Sequence, residues 1–365
     1  MNNRQIGGKM LDNPEIYREI DPGDMAGLLT AFPTQLPEGR KIAISVDLSG
    51  IDSSKVTNIV VCGMGGSAIG GDLVRAYTID RLGTPIHINR DYNLPSFVGK
   101  NSLVIGSSYS GNTEETLFCF NEAGVRGAQR IAITTGGKLA EIAEGNGIPL
   151  IKLPPGLPPR AALGYSFSPI LTIFEALGFI PNQDYALNET VESLIAGAES
   201  YGLNRPTERN EAKKLANKLQ GKLPLIYSDD WHFNTVAVRF RGQINENSKQ
   251  LAYSAVLPEN NHNELVGWKN LGAPADRFIA IYLTDKDIHP KVRFRMELFG
   301  ETQSGLGVET VWLNSNGESL LARMFSLIQL GDWTSYYLAI LNREDPKPVK
   351  AIDKLKAALE KFEGK

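Results

Sequence analysis

Two short stretches carry the residue types and spacing needed to hold an anion. The first, Ile59 to Asp72, reads IVVCGMGGSAIGGD: an apolar run passes into Gly63-Met64-Gly65-Gly66-Ser67, and from Ala68 a helix can begin. Glycines let backbone N–H groups approach a ligand closely, and the unsatisfied amides and positive dipole end of a helix start favour negative charge there. The second, Ser107-Ser108-Tyr109-Ser110-Gly111-Asn112-Thr113, places four Ser and Thr hydroxyls within seven residues, more than one helix cap uses. Two such loops together can wrap a phosphate monoester with hydroxyls and amides. The first loop alone leaves another chemistry open, since Gly63-x-Gly65-x-x-Ala68 with Asp91 downstream fits a loose dinucleotide fingerprint and hence a nicotinamide-dependent dehydrogenase. It is not a P-loop, because no Gly-Lys-Ser/Thr follows.

The elements that must position these loops alternate. Apolar Ile59–Cys62 is followed by a helical Ala68–Thr78, apolar Pro85–Asn89 and Ser102–Gly106, a helical Thr113–Ala123, apolar Arg130–Thr134 and a helical Lys138–Glu144. Strand and helix in alternation predict a doubly wound parallel sheet, in which ligands bind beyond the carboxyl ends of the strands, where both loops fall. Residues 152–160, KLPPGLPPR, cannot be helical and predict a fixed, extended loop that delivers Arg160. Helices are expected over Phe167–Leu177 and Glu189–Tyr201. A second block then runs through Lys222–Ser228, a helical Phe233–Asn247, Phe278–Leu283, a helical His289–Leu298, Gly307–Leu313 and a helical Ser319–Leu341.

At 365 residues the chain exceeds the size at which single cores stop growing, so two α/β domains are expected. The expected divisions are a helical extension over 1–40, one α/β domain over 41–190, a second over 205–342, and a C-terminal helix over 343–365 with Ile352, Leu355, Leu359 and Phe362 on one face. A formal net charge of −3 with 22% charged residues argues against nucleic acid or an anionic membrane surface as partner. Cys62 and Cys119 are the only cysteines and sit in apolar settings, which points to buried thiols in a reducing compartment rather than a disulfide or a metal cluster. With no signal-peptide core at the N-terminus and no apolar run near the roughly 18 residues a membrane span needs, the expectation is a soluble, cytoplasmic protein.

GMGGSAIGGD followed by SYSGNTEETL is similar to the sugar isomerase (SIS) family of phosphosugar-binding domains. LPPRAALGYS, INENSK and LPENNHNELVGW, with FPTQL near the N-terminus and GDWTSYYLAILN near the C-terminus, resemble the bifunctional phosphoglucose/phosphomannose isomerases over most of the chain. The resemblance implies two SIS-type αβα domains and isomerisation of fructose 6-phosphate to glucose 6-phosphate and mannose 6-phosphate, with no metal or cofactor. It implies that Gly65, Gly66, Ser67, Ser108, Ser110 and Thr113 hold the substrate phosphate, that Glu246 is the base, that His262 opens the sugar ring and that Arg160 lies beside the reacting carbons. It further implies a homodimer in which His262 crosses to the partner's site, and a site lysine at Lys356, with Lys354 nearby.

These residue types suit the chemistry. A carboxylate can carry a proton between adjacent carbons, an arginine can stabilise the enediolate, and a histidine exchanges protons near neutrality. Other readings stay open on the residues alone: Glu246 shares a helix face with Arg239 and Gln243 and fits a surface ion pair, and His262 fits an ordinary loop histidine. A phosphosugar-binding protein without turnover needs the two loops but not Glu246, Arg160 and His262.

Overall fold

A computed structural model describes residues 10–359, 361 and 362; the remainder of the expected terminal segments, 1–9, 360 and 363–365, lies outside the described residues. Helices α1 (Pro14–Ile20) and α2 (Met25–Ile44) precede β1 (Asn58–Cys62), α3 (Gly65–Thr78), β2 (Ile86–Asn89), β3 (Ser102–Ser107), α4 (Glu114–Val125), β4 (Gln129–Thr134), α5 (Gly137–Gly145) and β5 (Leu150–Lys152). The strands form one parallel sheet in the order β2-β1-β3-β4-β5, here sheet A. Its central strands are near-continuous runs of buried Ile, Leu and Val, as a sheet covered by helices on both faces requires.

Helices α6 (Leu163–Ala176), α7 (Asp184–Tyr201) and α8 (Glu211–Leu219) lead to β6 (Leu223–Asp229), α9 (Asn234–Ser248), β7 (Tyr253–Leu257), a single turn α10 (Glu264–Gly267), β8 (Phe278–Thr284), α11 (Pro290–Gly305), β9 (Glu309–Asn314), α12 (Leu320–Leu341) and α13 (Lys350–Leu359). Sheet B has the order β7-β6-β8-β9, again with every pairing parallel. In each sheet the first strand lies between its next two, β1 between β2 and β3 and β6 between β7 and β8, so each has a switch-point crevice at its carboxyl end.

Helix α12 is apolar almost all round, and 20 of its 22 residues are buried. It packs against α7, α8 and α9. One apolar cluster runs from Ile59, Leu103 and Ile131 of sheet A through Phe167, Phe325 and Trp333 to Ile226, Ile279 and Ile281 of sheet B. The sheets therefore share a core, and the loops of one keep a fixed position against the helices of the other.

Three local features differ from the sequence reading. Helix α2 runs past the expected end of the helical extension at residue 40, carrying Pro33 and Pro37 inside it and continuing to Ile44. Each interior proline costs about 3 kcal/mol, and burial of Met25, Leu29, Phe32 and Leu36 offsets it at about 1.5–3 kcal/mol apiece. Gln35 adds a clamp to the neighbouring turn, donating to the Ala161 carbonyl at 2.7 Å and accepting from Gly164 N–H at 3.1 Å. Strand β7 gives little sequence signal because it is a short edge strand with Tyr253 exposed; pairing with β6 makes it a strand. The expected apolar face of α13 is present, but Ile352, Leu355, Leu359 and Phe362 all stand in solvent.

Candidate active site

The two anion-binding stretches meet at the switch point of sheet A. Helix α3 starts at Gly65, whose φ of +48° is left-handed and suits glycine. Its N-cap is Met64, which offers no side-chain hydrogen bond; the Ser67 N–H donates to the Met64 carbonyl at 3.0 Å, and the Gly65 and Gly66 amides have no partner among the described residues. Gly66 is required by proximity: a Cβ there would lie 2.5 Å from the Pro159 carbonyl oxygen and 3.1 Å from the Arg160 nitrogen. The second loop is knitted to the first. Tyr109 N–H donates to Ser67 Oγ at 3.0 Å, and Ser107 Oγ donates to the Ser67 carbonyl at 3.2 Å.

Within the second loop, Ser108 Oγ lies 2.8 Å from Thr113 Oγ1 and accepts from Gly111 N–H at 3.1 Å. Ser110 Oγ accepts from Asn112 N–H at 3.3 Å. Thr113, the N-cap of α4, directs its hydroxyl to Ser108 and not to its own helix, so α4 also begins without a side-chain cap. Two uncapped helix starts thus converge beside three serines and a threonine, and their amides, dipoles and hydroxyls suit a phosphate group.

Arg160 lies against this cup, held by the turn Pro159–Ala161. The side chain is buried and extends toward α9, where Nη1 sits 3.5 Å from Glu246 Oε2. Nε donates to Asn247 Oδ1 at 2.7 Å, and Nη2 donates to the carbonyls of Pro346 and Lys347, both at 2.6 Å. Burial pulls the Arg160 pKa below the ordinary arginine value while Glu246 and Asp345 push it back, and a guanidinium stays charged at any physiological pH. Lys249, in a left-handed conformation at the end of α9, is pulled down by burial and by the nearby Arg160 charge.

The open reading of Glu246 as partner of Arg239 and Gln243 is not what the structure has. Both of those side chains turn inward to Asp332 of α12, Arg239 Nη2 at 2.6 Å and Gln243 Nε2 at 2.9 Å, while Glu246 faces Arg160 and remains about one-third exposed. Asn247, Asp332 and Ser335 form the buried support of the pair and were not singled out from the sequence. Their only sequence signal was membership in INENSK and GDWTSYYLAILN.

His262 and Lys356 are not brought to Arg160 and Glu246 within the chain by any contact among the described residues. His262 is exposed in the turn Glu259–His262 after β7, and its ring makes no hydrogen bond or ion pair with a described residue. Lys356 is exposed on α13. Among the described residues no group of three or more His, Cys, Asp or Glu side chains is placed to hold a metal ion, and no helix is long and apolar enough to cross a membrane.

A cup lined by glycines and hydroxyls at a switch point, a carboxylate paired with a buried arginine and two fused parallel-sheet domains are the features of an SIS-type protein. A hypothetical protein from Thermus thermophilus has the same fold, with a TM-score of 0.74 at 15% identity over 98% of this chain and 95% of that one. Residues 208–359 match the model of the bacterial phospho-glucose isomerase C-terminal SIS domain. A bifunctional phosphoglucose/phosphomannose isomerase from Caldicellulosiruptor bescii is 46% identical over 330 residues, 90% of this chain and 96% of the relative. One of the same name from Aquifex aeolicus is 38% identical over 311 residues, 85% of this chain and 92% of the relative. The chain belongs to the bifunctional phosphoglucose/phosphomannose isomerase family.

Proposed function

We propose that this protein interconverts fructose 6-phosphate with glucose 6-phosphate and mannose 6-phosphate through a cis-enediolate. The observation that carries the proposal is the Arg160–Glu246 pair at 3.5 Å, set against two uncapped helix starts. Gly65, Gly66, Ser67, Ser108, Ser110 and Thr113 anchor the phosphate, which leaves C1 and C2 of the open-chain sugar to reach the pair. The Glu246 carboxylate removes the proton from C2 of the aldose and returns it to C1, or the reverse, while Arg160 Nη1 faces the enediolate oxygen. The chemistry as written uses no metal or cofactor.

We further infer a cytoplasmic homodimer in which His262 of one protomer serves ring opening in the other's site. Support comes from the exposure of the His262 ring, its lack of partners among the described residues, and the exposed Leu265 and Val266 beside it in sequence. Lys356, exposed on α13, is assigned an ancillary part in ring opening. Domain limits of 41–190 and 205–342 accommodate one sheet each, with α1 and most of α2 in the preceding extension.

Glu246→Gln should leave substrate KM nearly unchanged and lower kcat by at least ~100-fold, with deuterium exchange at C2 lost in step. Near-normal turnover would overturn the assignment. Activity abolished by EDTA and restored by zinc would overturn the metal-free chemistry.

A further inference from the structure

A guanidinium has five N–H donors, and three of Arg160's are engaged by the protein. Nε gives its hydrogen to Asn247 Oδ1 at 2.7 Å, and Nη2 gives both of its own to the Pro346 and Lys347 carbonyls at 2.6 Å. Nη1 alone of its nitrogens has no hydrogen-bond partner among the described residues, and it is the nitrogen that stands 3.5 Å from Glu246 Oε2. An unrestrained arginine beside a carboxylate tends to close a two-pronged pair, which would occupy both oxygens of the base. Here the second prong is already committed elsewhere.

Asn247 is itself fixed. Its Nδ2 donates to Ser335 Oγ at 2.9 Å, and that hydroxyl donates to the Asp332 carbonyl at 2.7 Å. The Asp332 carboxylate takes Arg239, whose Nη2 also donates to the Arg160 carbonyl at 3.1 Å. The side chain and main chain of Arg160 are thus tied to α12 by one buried set of bonds, and Asn247 is the link that reaches the guanidinium.

We propose that Asn247 is a positioning residue for the isomerisation: by accepting from Nε it fixes the plane of the guanidinium so that Nη1 points toward the enediolate oxygen, while the Pro346 and Lys347 carbonyls hold Nη2 and keep Arg160 from closing onto both oxygens of Glu246. The proposal rests on the roles given above to Arg160 and Glu246. An amide suits the task because it accepts from Nε without adding charge. A carboxylate in its place would share the positive charge meant for the intermediate.

The test compares wild type with Asn247→Asp, Asn247→Ala and Ser335→Ala. The readouts are kcat, KM for fructose 6-phosphate, inhibition by inorganic phosphate, and inhibition by a hydroxamate analogue of the enediolate. In Asn247→Ala the lost hydrogen bond to a charged group corresponds to a kcat lower by about 10- to 100-fold, and in Asn247→Asp the carboxylate, which still accepts from Nε but draws on the guanidinium charge and no longer donates to Ser335, should lower kcat over the same range. The hydroxamate should weaken in step, while KM and phosphate inhibition stay within about 3-fold, a split that a general loosening of the fold does not produce. Ser335→Ala, which removes the tether and keeps the acceptor, should lose less than either. Should Asn247→Ala fail to fold, the near-isosteric Asn247→Asp alone decides. An unchanged kcat in Asn247→Asp, or an equal weakening of phosphate and hydroxamate, overturns the proposal. Glu246→Gln run beside them separates the two failures: an active Glu246→Gln overturns the site reading, whereas an inactive one with a fully active Asn247→Asp overturns only the role of Asn247.

Discussion

The crevices at the carboxyl ends of the two sheets share a topology and have opposite chemistry. At sheet A the loops after β1 and β3 are glycine and serine, and α3 and α4 start without side-chain caps. At sheet B the corresponding loops, 229–233 and 285–289, supply Asp229, Asp230, Asp285 and Asp287 to a cavity of about 650 Å³. Its amides are already taken. Asp229 accepts from the N–H groups of Trp231 and His232 at 2.9 Å and of Phe233 at 3.3 Å, and His289 Nδ1 accepts from Lys291 N–H at 3.1 Å. Arg323 supplies a built-in cation, with Nε donating to Asp285 Oδ2 at 2.7 Å and a further ion pair to Asp287. The sheet B cavity therefore offers an anion less than the sheet A loops do: a helix start suits phosphate where the chain has left its amides and dipole unanswered.

Breaking the self-contained end should have the largest effect. Arg323→Leu strands Asp285, whose side chain is 1% exposed, and should cost about 3–5 kcal/mol in denaturant unfolding. It should also change the acid limb of stability. Burial raises the Asp285 pKa, but Ser315, Arg323 and the Asp287 amide outweigh it and hold the carboxyl below its ordinary 3.8. Its folded value lies below its unfolded one, so its stabilisation is present above about pH 3.8 and is lost as pH falls through the folded value. In Arg323→Leu that loss should begin at higher pH, and an unmoved acid limb would contradict the pairing.

Breaking the open end should be milder in stability and sharper in function. Gly66→Ala pushes a Cβ to 2.5 Å from the Pro159 carbonyl, between the cup and Arg160. KM for fructose 6-phosphate should rise about 100-fold, the equivalent of about 2.7 kcal/mol, and thermal protection by phosphate should vanish; intact protection would show that the cup lies elsewhere. The smallest change sharpens the comparison most. Met64 already has the extended backbone of an N-cap, so Met64→Asp should give α3 the cap that sheet B's turn has, raising stability by about 1 kcal/mol in thermal melts. The carboxylate would occupy the amides and repel phosphate, so KM should rise about tenfold. A gain in stability without loss of affinity would separate helix capping from phosphate binding.

Much of the fold was legible because buried parallel strands announce themselves. Ile59–Cys62 and Arg130–Thr134 are apolar runs bounded by turn residues, and the structure lengthens each by one residue at its N-terminal end. Edge strand β7 and the continuation of α2 through its prolines to Ile44 were not legible, since each depends on a neighbour, β6 or α6, that pairs with or covers it. At the site, the glycine turn and the hydroxyl loop were visible from residue type alone as two loops able to offer amides and hydroxyls, and the structure joins them through Ser67. Glu246 was not, because a glutamate on the same helix face as Arg239 and Gln243 reads as a surface pair until α12 draws both of those side chains into the interior.

What the sequence determined by itself was local: where backbone amides are exposed by glycine, where hydroxyls cluster, and which runs must be buried. What the tertiary structure decided was which charges meet. Arg160, Glu246, Asn247 and the carbonyls of Pro346 and Lys347 come from segments up to 187 residues apart. They converge because α12 is buried on every side and fixes both sheets in one core. No local propensity encodes that convergence, since it is the packing of apolar surface far from the site that sets the distance between an arginine and its carboxylate.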